Sequence, residues 1–275
     1  MPDAASSPLA GKRVVITRAF AQSSELARHL SALEAVPIIF SLVAFEPPDD
    51  LAPLDSGLLQ LGDFDWLIFT SENAVHAVAD RLASLGLTHQ KMGLPRQVAA
   101  VGPTTSRAAE EAGFCVAYSA KSHSGAALAN ELGDAVRGKR IFLPRSNRAN
   151  PDLPAVLRQH GARVTEAVAY RTLPPADIDA ALGSQISTNQ TDAILFFSPT
   201  AAEHFAKLFG PERLRQLQEE QVIVAVGPIT AAALQKLGLT EFITAADTNS
   251  NAVCEALEAH FALVKKHSSM GANRG

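Results

Sequence analysis

"VAAVGPTTSRAAEEAG" at 98–113 and "VIVAVGPITAAALQKLG" at 222–238 are two versions of one phrase. In each, a short apolar run ends in Gly-Pro-x-Thr and a helical pattern starts at once. A strand that passes directly into a helix is half of a βαβ unit, and its turn marks the carboxyl end of a parallel strand. Gly102 and Gly227 lie 125 residues apart (227 − 102). Other pairs recur near that spacing and in the same order. "GKRVVITR" at 11–18 matches "GKRIFLPR" at 138–145, a shift of 127 (138 − 11). "FDWLIFTSENAVHAVA" at 64–79 matches "TDAILFFSPTAAEHFA" at 191–206, again shifted by 127 (191 − 64). "HSGAALANEL" at 123–132 loosely matches "NSNAVCEALE" at 249–258. The ordered set reads as two homologous halves, roughly 11–137 and 138–264, with a period far too long for a solenoid.

Each half carries five apolar runs. The first has "VVIT" (14–17), "PIIFSLVAF" (37–45), "WLIF" (66–69), "VAAV" (98–101) and "FCVAYS" (114–119). The second has "IFLP" (141–144), "VTEAVAY" (164–170), "AILFF" (193–197), "VIVAV" (222–226) and "EFITAA" (241–246). Most are short and apolar without alternation, as strands buried on both faces of a parallel sheet are. Helical patterns such as "SSELARHLSALEA" (23–35) separate most of them. The expected class is α/β, with doubly wound parallel sheets. The second run of each half is longer and ends in a proline pair, "FEPPDD" (45–50) or "TLPPAD" (172–177). Paired prolines cannot continue a sheet interior, so both segments read as linkers passing between domains.

The chain of 275 residues, 47% hydrophobic, has the length and composition for two cores of ordinary size. A net charge of −4 leaves no nucleic-acid footprint. No apolar run approaches a membrane span, and "MPDAASSPLA" has neither the basic start nor the apolar stretch of a signal peptide. The expected location is the cytoplasm. Cys115 and Cys254 lack metal-type spacing and read as reduced core thiols. Both ends, 1–10 and about 265–275, are expected to fray.

The candidate ligand groups sit at strand ends. Gly102 and Gly227 let the backbone approach a ligand closely, and free N–H groups at a helix start attract anions. Thr17-Arg18, Ser71, Thr105, Arg145-Ser146, Ser198, Thr200 and Thr230 repeat the theme. Any single Ser or Thr before a helix is most often a cap. Arg18 and Arg145 are stronger signals, because a guanidinium pairs bidentately with carboxylate or phosphate. One such site is weak; several could hold a polyanion. The histidines have no zinc spacing, and no metal site is expected. "GDAVRGKR" at 133–140 imitates a phosphate loop, but Arg140 stands where Ser or Thr is required and a helix precedes it.

The ordered motifs "VVITRA", "DWLIFTSENAV", "AAVGPTTSRAAEEAG", "FLPRSNRA", "VAYRTLPP", "FFSPTAAEHF" and "AVGPITAAALQKLG" resemble the uroporphyrinogen-III synthase family. The likeness covers nearly all of 11–262. It departs where Ala19 replaces the proline common after Thr17-Arg18, and the tail "KKHSSMGANRG" matches nothing in it. The resemblance implies two flavodoxin-like parallel-sheet domains joined by a two-stranded antiparallel linker. One domain would combine 1–41 with 174–275, and the other would be 42–173. The implied reaction closes linear hydroxymethylbilane to uroporphyrinogen III, with loss of water and inversion of the last pyrrole ring. It needs no metal or organic cofactor. The substrate is a polycarboxylate, and the chain is expected to be a monomer, with a transient contact to the preceding pathway enzyme. Tyr170 matches the family's candidate proton donor. Ser71, Thr105, Ser198 and Thr230 match its cleft-facing hydroxyls. The competing reading is a non-catalytic two-lobed binding protein for a polyanionic small molecule.

Overall fold

In the computed structural model, which describes residues 7–87, 93, 95–120, 124–188 and 190–272, every apolar run of the sequence carries a strand. The chain opens with β1 (Arg13–Ile16), α1 (Ser24–Ala32) and β2 (Val36–Ile39). It continues through β3 (Ala44–Glu46), α2 (Ala52–Leu59), β4 (Trp66–Phe69), α3 (Glu72–Ser84), β5 (Gln97–Val101), α4 (Pro103–Glu111) and β6 (Val116–Ala120). Then come α5 (Gly125–Leu132), β7 (Arg140–Ser146), α6 (Asp152–Gln159) and β8 (Arg163–Leu173). It closes with α7 (Ala180–Ser187), β9 (Ala193–Phe196), α8 (Pro199–Phe209), α9 (Pro211–Glu220), β10 (Val222–Val226), α10 (Pro228–Lys236), β11 (Ile243–Ala245) and α11 (Ser250–Ala272).

Two compact units result, Met1–Ala44 with Leu173–Gly275, and Phe45–Thr172. The first holds a five-stranded sheet in the order β11-β10-β9-β1-β2, parallel throughout. The second holds a six-stranded sheet in the order β3-β8-β7-β4-β5-β6, parallel from β8 to β6. Each sheet is buried on both faces. In the first unit, Phe196 and Ile194 point into one cluster with Phe205 and Leu214, while Leu195 and Val14 point into another with Leu30, Val253 and Phe261. Alternate residues of one strand thus feed opposite cores, which explains the unbroken apolar runs. In the second unit, Phe69 and Phe142 meet Leu58 and Phe114 on one face, and Ile68 and Ile141 meet Leu128 and Leu157 on the other. Each such side chain contributes about 1.5–3 kcal/mol by leaving water. Helix α2 lies directly on the Phe142 ring: a Cβ at Gly57 would sit 2.2 Å from that ring.

The run 37–45 is not one element. Val36–Ile39 is the edge strand of the first sheet, and Ala44–Glu46 is an edge strand of the second. Between them Phe40, Leu42 and Val43 turn into the first unit's core. The Leu42 carbonyl there lies 2.6 Å from Nδ1 of the buried His204. Likewise β8 is more than a linker, since it pairs with β7 from Arg163 to Tyr170. Three expectations need correction. Cys115 is exposed, whereas Cys254 is buried and its thiol is pushed up to about 11 by burial, with Glu258 and Glu255 adding to it. Leu9 is fully buried, so the amino-terminal end is anchored before β1 begins. Helix α11 runs to Ala272, so fraying from about 265 is not seen. The remainder of the expected frayed ends, 1–6 and 273–275, lies outside the described residues.

Candidate functional site

At the carboxyl ends of the strands the two glycine turns are alike. Gly102 caps α4 with φ 80 and ψ 162, and Gly227 caps α10 with φ 87 and ψ 159. This backbone region is accessible essentially to glycine alone. Proline follows in both, at the helical position where a missing N–H costs nothing. Neither helix has a side-chain cap, so the first-turn N–H groups receive no side-chain acceptor from the turn. Thr105 and Thr230 stand in those first turns, 5% and 3% exposed. Among the described residues neither hydroxyl makes a hydrogen bond. A buried polar group without a partner costs about 1–3 kcal/mol, and an unfilled cap is an anion site.

The two serine-led helices are built differently. Ser71 caps α3 and Ser198 caps α8, each accepting from the N–H three residues on, Ala74 or Ala201, at 3.2 Å. Their extended backbones, φ −159 and −156, are those of ordinary caps. Thr200 lies half-buried in the first turn of α8.

Thr17 is fully buried and donates to the Leu195 carbonyl at 2.7 Å, joining β1 to β9. Arg18 is half-buried and extends over the Phe197 ring at 5.5 Å. Its sequence counterpart Arg145 is 8% exposed and turned inward. It donates to Glu166 at 2.7 Å and to the Asn150 carbonyl at 2.5 Å, and Glu166 also accepts from Arg158 at 2.7 Å. Arg145 therefore fastens β7 to β8 and to the loop before α6. Glu166→Ala should leave that buried guanidinium short of an acceptor and cost about 1–2 kcal/mol. A urea denaturation midpoint unchanged from wild type would contradict this.

Tyr170 lies near the carboxyl end of β8, the second strand of the six-stranded sheet. The β7–β8 register shifts just before it: Arg145 faces Val168, but Ser146 faces Tyr170. The skipped residue is a β-bulge, which re-aims a side chain. Burial alternates along Glu166–Ala169, then Ala169 and Tyr170 are buried in succession. The ring is 9% exposed and takes Phe45 edge-on, with centroids 5.6 Å apart. Its hydroxyl lies 3.0 Å from Ser71 Oγ. Burial pushes the phenol above its usual pKa, against hydrogen bonds with Ser71, Asn73 and Ser146, and the Glu72 charge adds to the rise. Ser146 shares a further hydrogen bond with Thr172 at 2.9 Å. The result is a neutral phenol at the head of α3, held by a serine that also caps that helix. Sequence reasoning took Asn73 only as the end of the strand-end motif Thr70–Asn73, and it missed Phe45 and Thr172. Asn73 and Thr172 lie within the matched motifs, but the bulge that gathers these residues leaves no sequence signal.

Arg171, next in the chain, ties β8 to the segment after β3. Its Nε donates to the Pro47 carbonyl at 3.0 Å, and its two terminal nitrogens reach Asp49 at 2.7 Å and Glu46 at 3.1 Å. Among the described residues no group of three or more His, Cys, Asp or Glu is placed to hold a metal ion.

The family model "Uroporphyrinogen-III synthase HemD" matches residues 24–255. A uroporphyrinogen-III synthase of Synechococcus elongatus is 30% identical over 240 residues, 85% of this chain and 89% of that protein. One of Chlorobaculum parvum is 24% identical, over 83% of this chain and 90% of its own length. Among solved structures, a mutant uroporphyrinogen III synthase of Thermus thermophilus superposes with a TM-score of 0.67 at 20% identity, covering 93% of this chain and all of that one. The Helicobacter pylori uroporphyrinogen-III synthetase gives 0.59 at 19%, covering 92% and 99%. The structural likenesses speak for the fold.

Proposed function

This chain belongs to the uroporphyrinogen-III synthase family, and from that premise we propose how its residues close a linear tetrapyrrole. The reaction converts hydroxymethylbilane to uroporphyrinogen III and water, inverting the terminal ring. Protonation releases the terminal hydroxyl as water and leaves a resonance-stabilised azafulvenium cation. The substituted carbon of the last ring attacks that cation, and the spiro intermediate opens and recloses with the ring inverted. Loss of a proton completes the macrocycle, so the donor is restored. Family membership disfavours a non-catalytic binding protein.

Tyr170 is the proton donor in this reading. The observation that carries the assignment is its hydroxyl, kept neutral by burial and aligned by Ser71 at 3.0 Å. A positioned acid contributes roughly 10²–10⁴-fold, and holding the chain in a reactive fold supplies much of the remainder. Each unit offers its own anchors for substrate carboxylates in this reading: the open helix start at Gly102-Thr105 with Ser71 and Ser146 in one, and that at Gly227-Thr230 with Ser198, Thr200 and Arg18 in the other. Thr17 and Arg145 act from behind, holding the strand ends that present these groups. The protein works as a cytoplasmic monomer in this reading; among the described residues no helix is long and apolar enough to cross a membrane.

The decisive experiment supplies hydroxymethylbilane and separates the product isomers. Unaided closure occurs without inversion and gives isomer I. Folded protein should divert the product to isomer III. Isomer I as sole product, with a native circular dichroism spectrum, would remove the activity.

A further inference from the structure

The second unit contains a cavity of about 320 Å³, lined in part by Tyr170. One wall is apolar, formed by Phe45, Pro47, Pro48, Leu51 and Leu54. The other is a single stripe of α3, where Asn73, His76, Asp80 and Ser84 follow one another at helical spacing. Ala169 and Tyr170 close one end.

The charges facing this space are mostly spoken for. Arg81 is held by both oxygens of Asp55, each at 2.6 Å. Glu46 is paired with Arg171. The Asp80 carboxylate has no ion pair or hydrogen bond among the described residues, and the His76 ring likewise has none. The cavity thus offers an apolar slot, a free carboxylate and an imidazole. It lies at the small end of the range for ligand pockets, with room for one ring system. A polycarboxylate tetrapyrrole is too large for it and carries the wrong charge for Asp80.

We propose that this cavity, which borders Tyr170, is a second binding site for a small planar aromatic molecule bearing a cationic or multiple N–H donor group. The ring lies between the Pro47–Leu51 wall and the α3 stripe, and the donor group meets Asp80. Asn73 and Tyr170 both line the cavity, and Asn73 also bonds the Tyr170 hydroxyl, so an occupant meets the phenol's ring and one of its hydrogen-bond partners. That kinetic consequence rests on the role assigned to Tyr170; binding does not.

Benzamidine is the probe, and benzoate, with the same ring and opposite charge, is its control. In the full-length protein, amide resonances of α3 and of residues 45–54 should shift with benzamidine at millimolar concentration, and benzoate should leave them unmoved. Asp80→Asn, an exposed change on a helix surface, should weaken benzamidine at least fivefold. Ala77→Leu, which fills the slot and keeps the Asp80 carboxylate, should abolish binding. Equal response to benzamidine and benzoate, or undiminished binding in both variants, overturns the proposal. Saturating benzamidine should also lower turnover without raising the substrate KM. Binding without that loss would leave the site in place and count against Tyr170 as the acid.

Discussion

Tyr170→Phe is expected to lower turnover by about 10²- to 10⁴-fold with little change in KM. The substitution deletes one oxygen and leaves the packing, because the ring is buried and braced edge-on by Phe45. Ser71 keeps its bond from Ala74 N–H, so the cap of α3 survives and the stability cost stays near 1 kcal/mol. Unaided closure then competes, and the product should shift toward isomer I. The pH profile gives an independent check. Burial raises the pKa of this phenol above the ordinary value of about 10. A group with a raised pKa keeps its proton through the neutral range and loses it only as pH climbs past that value. Turnover should therefore be flat around neutrality in wild type, with any alkaline decline caused by this group lying above about 10. The phenylalanine variant should lack that decline. If a substrate carboxylate supplies the proton instead, the variant loses only a few-fold, and near-normal turnover with pure isomer III would remove Tyr170 from the chemistry.

The parallel-sheet architecture was legible because its signal is local. Strands such as Ala193–Phe196 feed two cores at once and must be apolar at every position. The turns at Gly102 and Gly227 were legible for the same reason: one backbone conformation demands glycine, and proline follows it. Run 37–45 was misread as a single segment because apolar content does not record where the chain turns. Phe40, Leu42 and Val43 are as hydrophobic as a strand, yet pack as a corner tied to His204, 162 positions beyond Leu42. Arg18 and Arg145 looked equivalent in sequence and are not. The difference lies in Glu166, which reaches Arg145 only through the β7–β8 register. Tyr170 was found through resemblance, while the bulge that buries it depends on pairing between strands and left no mark on composition or periodicity.

Gly227→Ala is expected to have the second largest effect, and for a reason distinct from acid catalysis. At φ 87 and ψ 159 a Cβ is not tolerated without strain, and such strain costs on the order of 1–3 kcal/mol. Space is not the difficulty, since the nearest side-chain atom, Thr248 Cγ2, would lie 3.8 Å from the new methyl. Rotating the turn would relieve the strain, and the uncapped N–H groups of α10 would then no longer point toward the proposed carboxylate position. A helix start is worth about 0.3–2 kcal/mol to an anion, so up to roughly 30-fold in affinity is at stake. The variant should raise KM and lose stability together, and Gly102→Ala should do the same at α4. Gly86→Ala supplies the control. It also has a positive φ, 66, and open space around the new methyl, but it follows the carboxyl end of α3. It should cost about 1–2 kcal/mol of stability and leave KM unchanged. Were Gly86→Ala and Gly227→Ala to raise KM equally, the effect would belong to general loosening of the fold, and the open helix starts would have no part in holding the substrate.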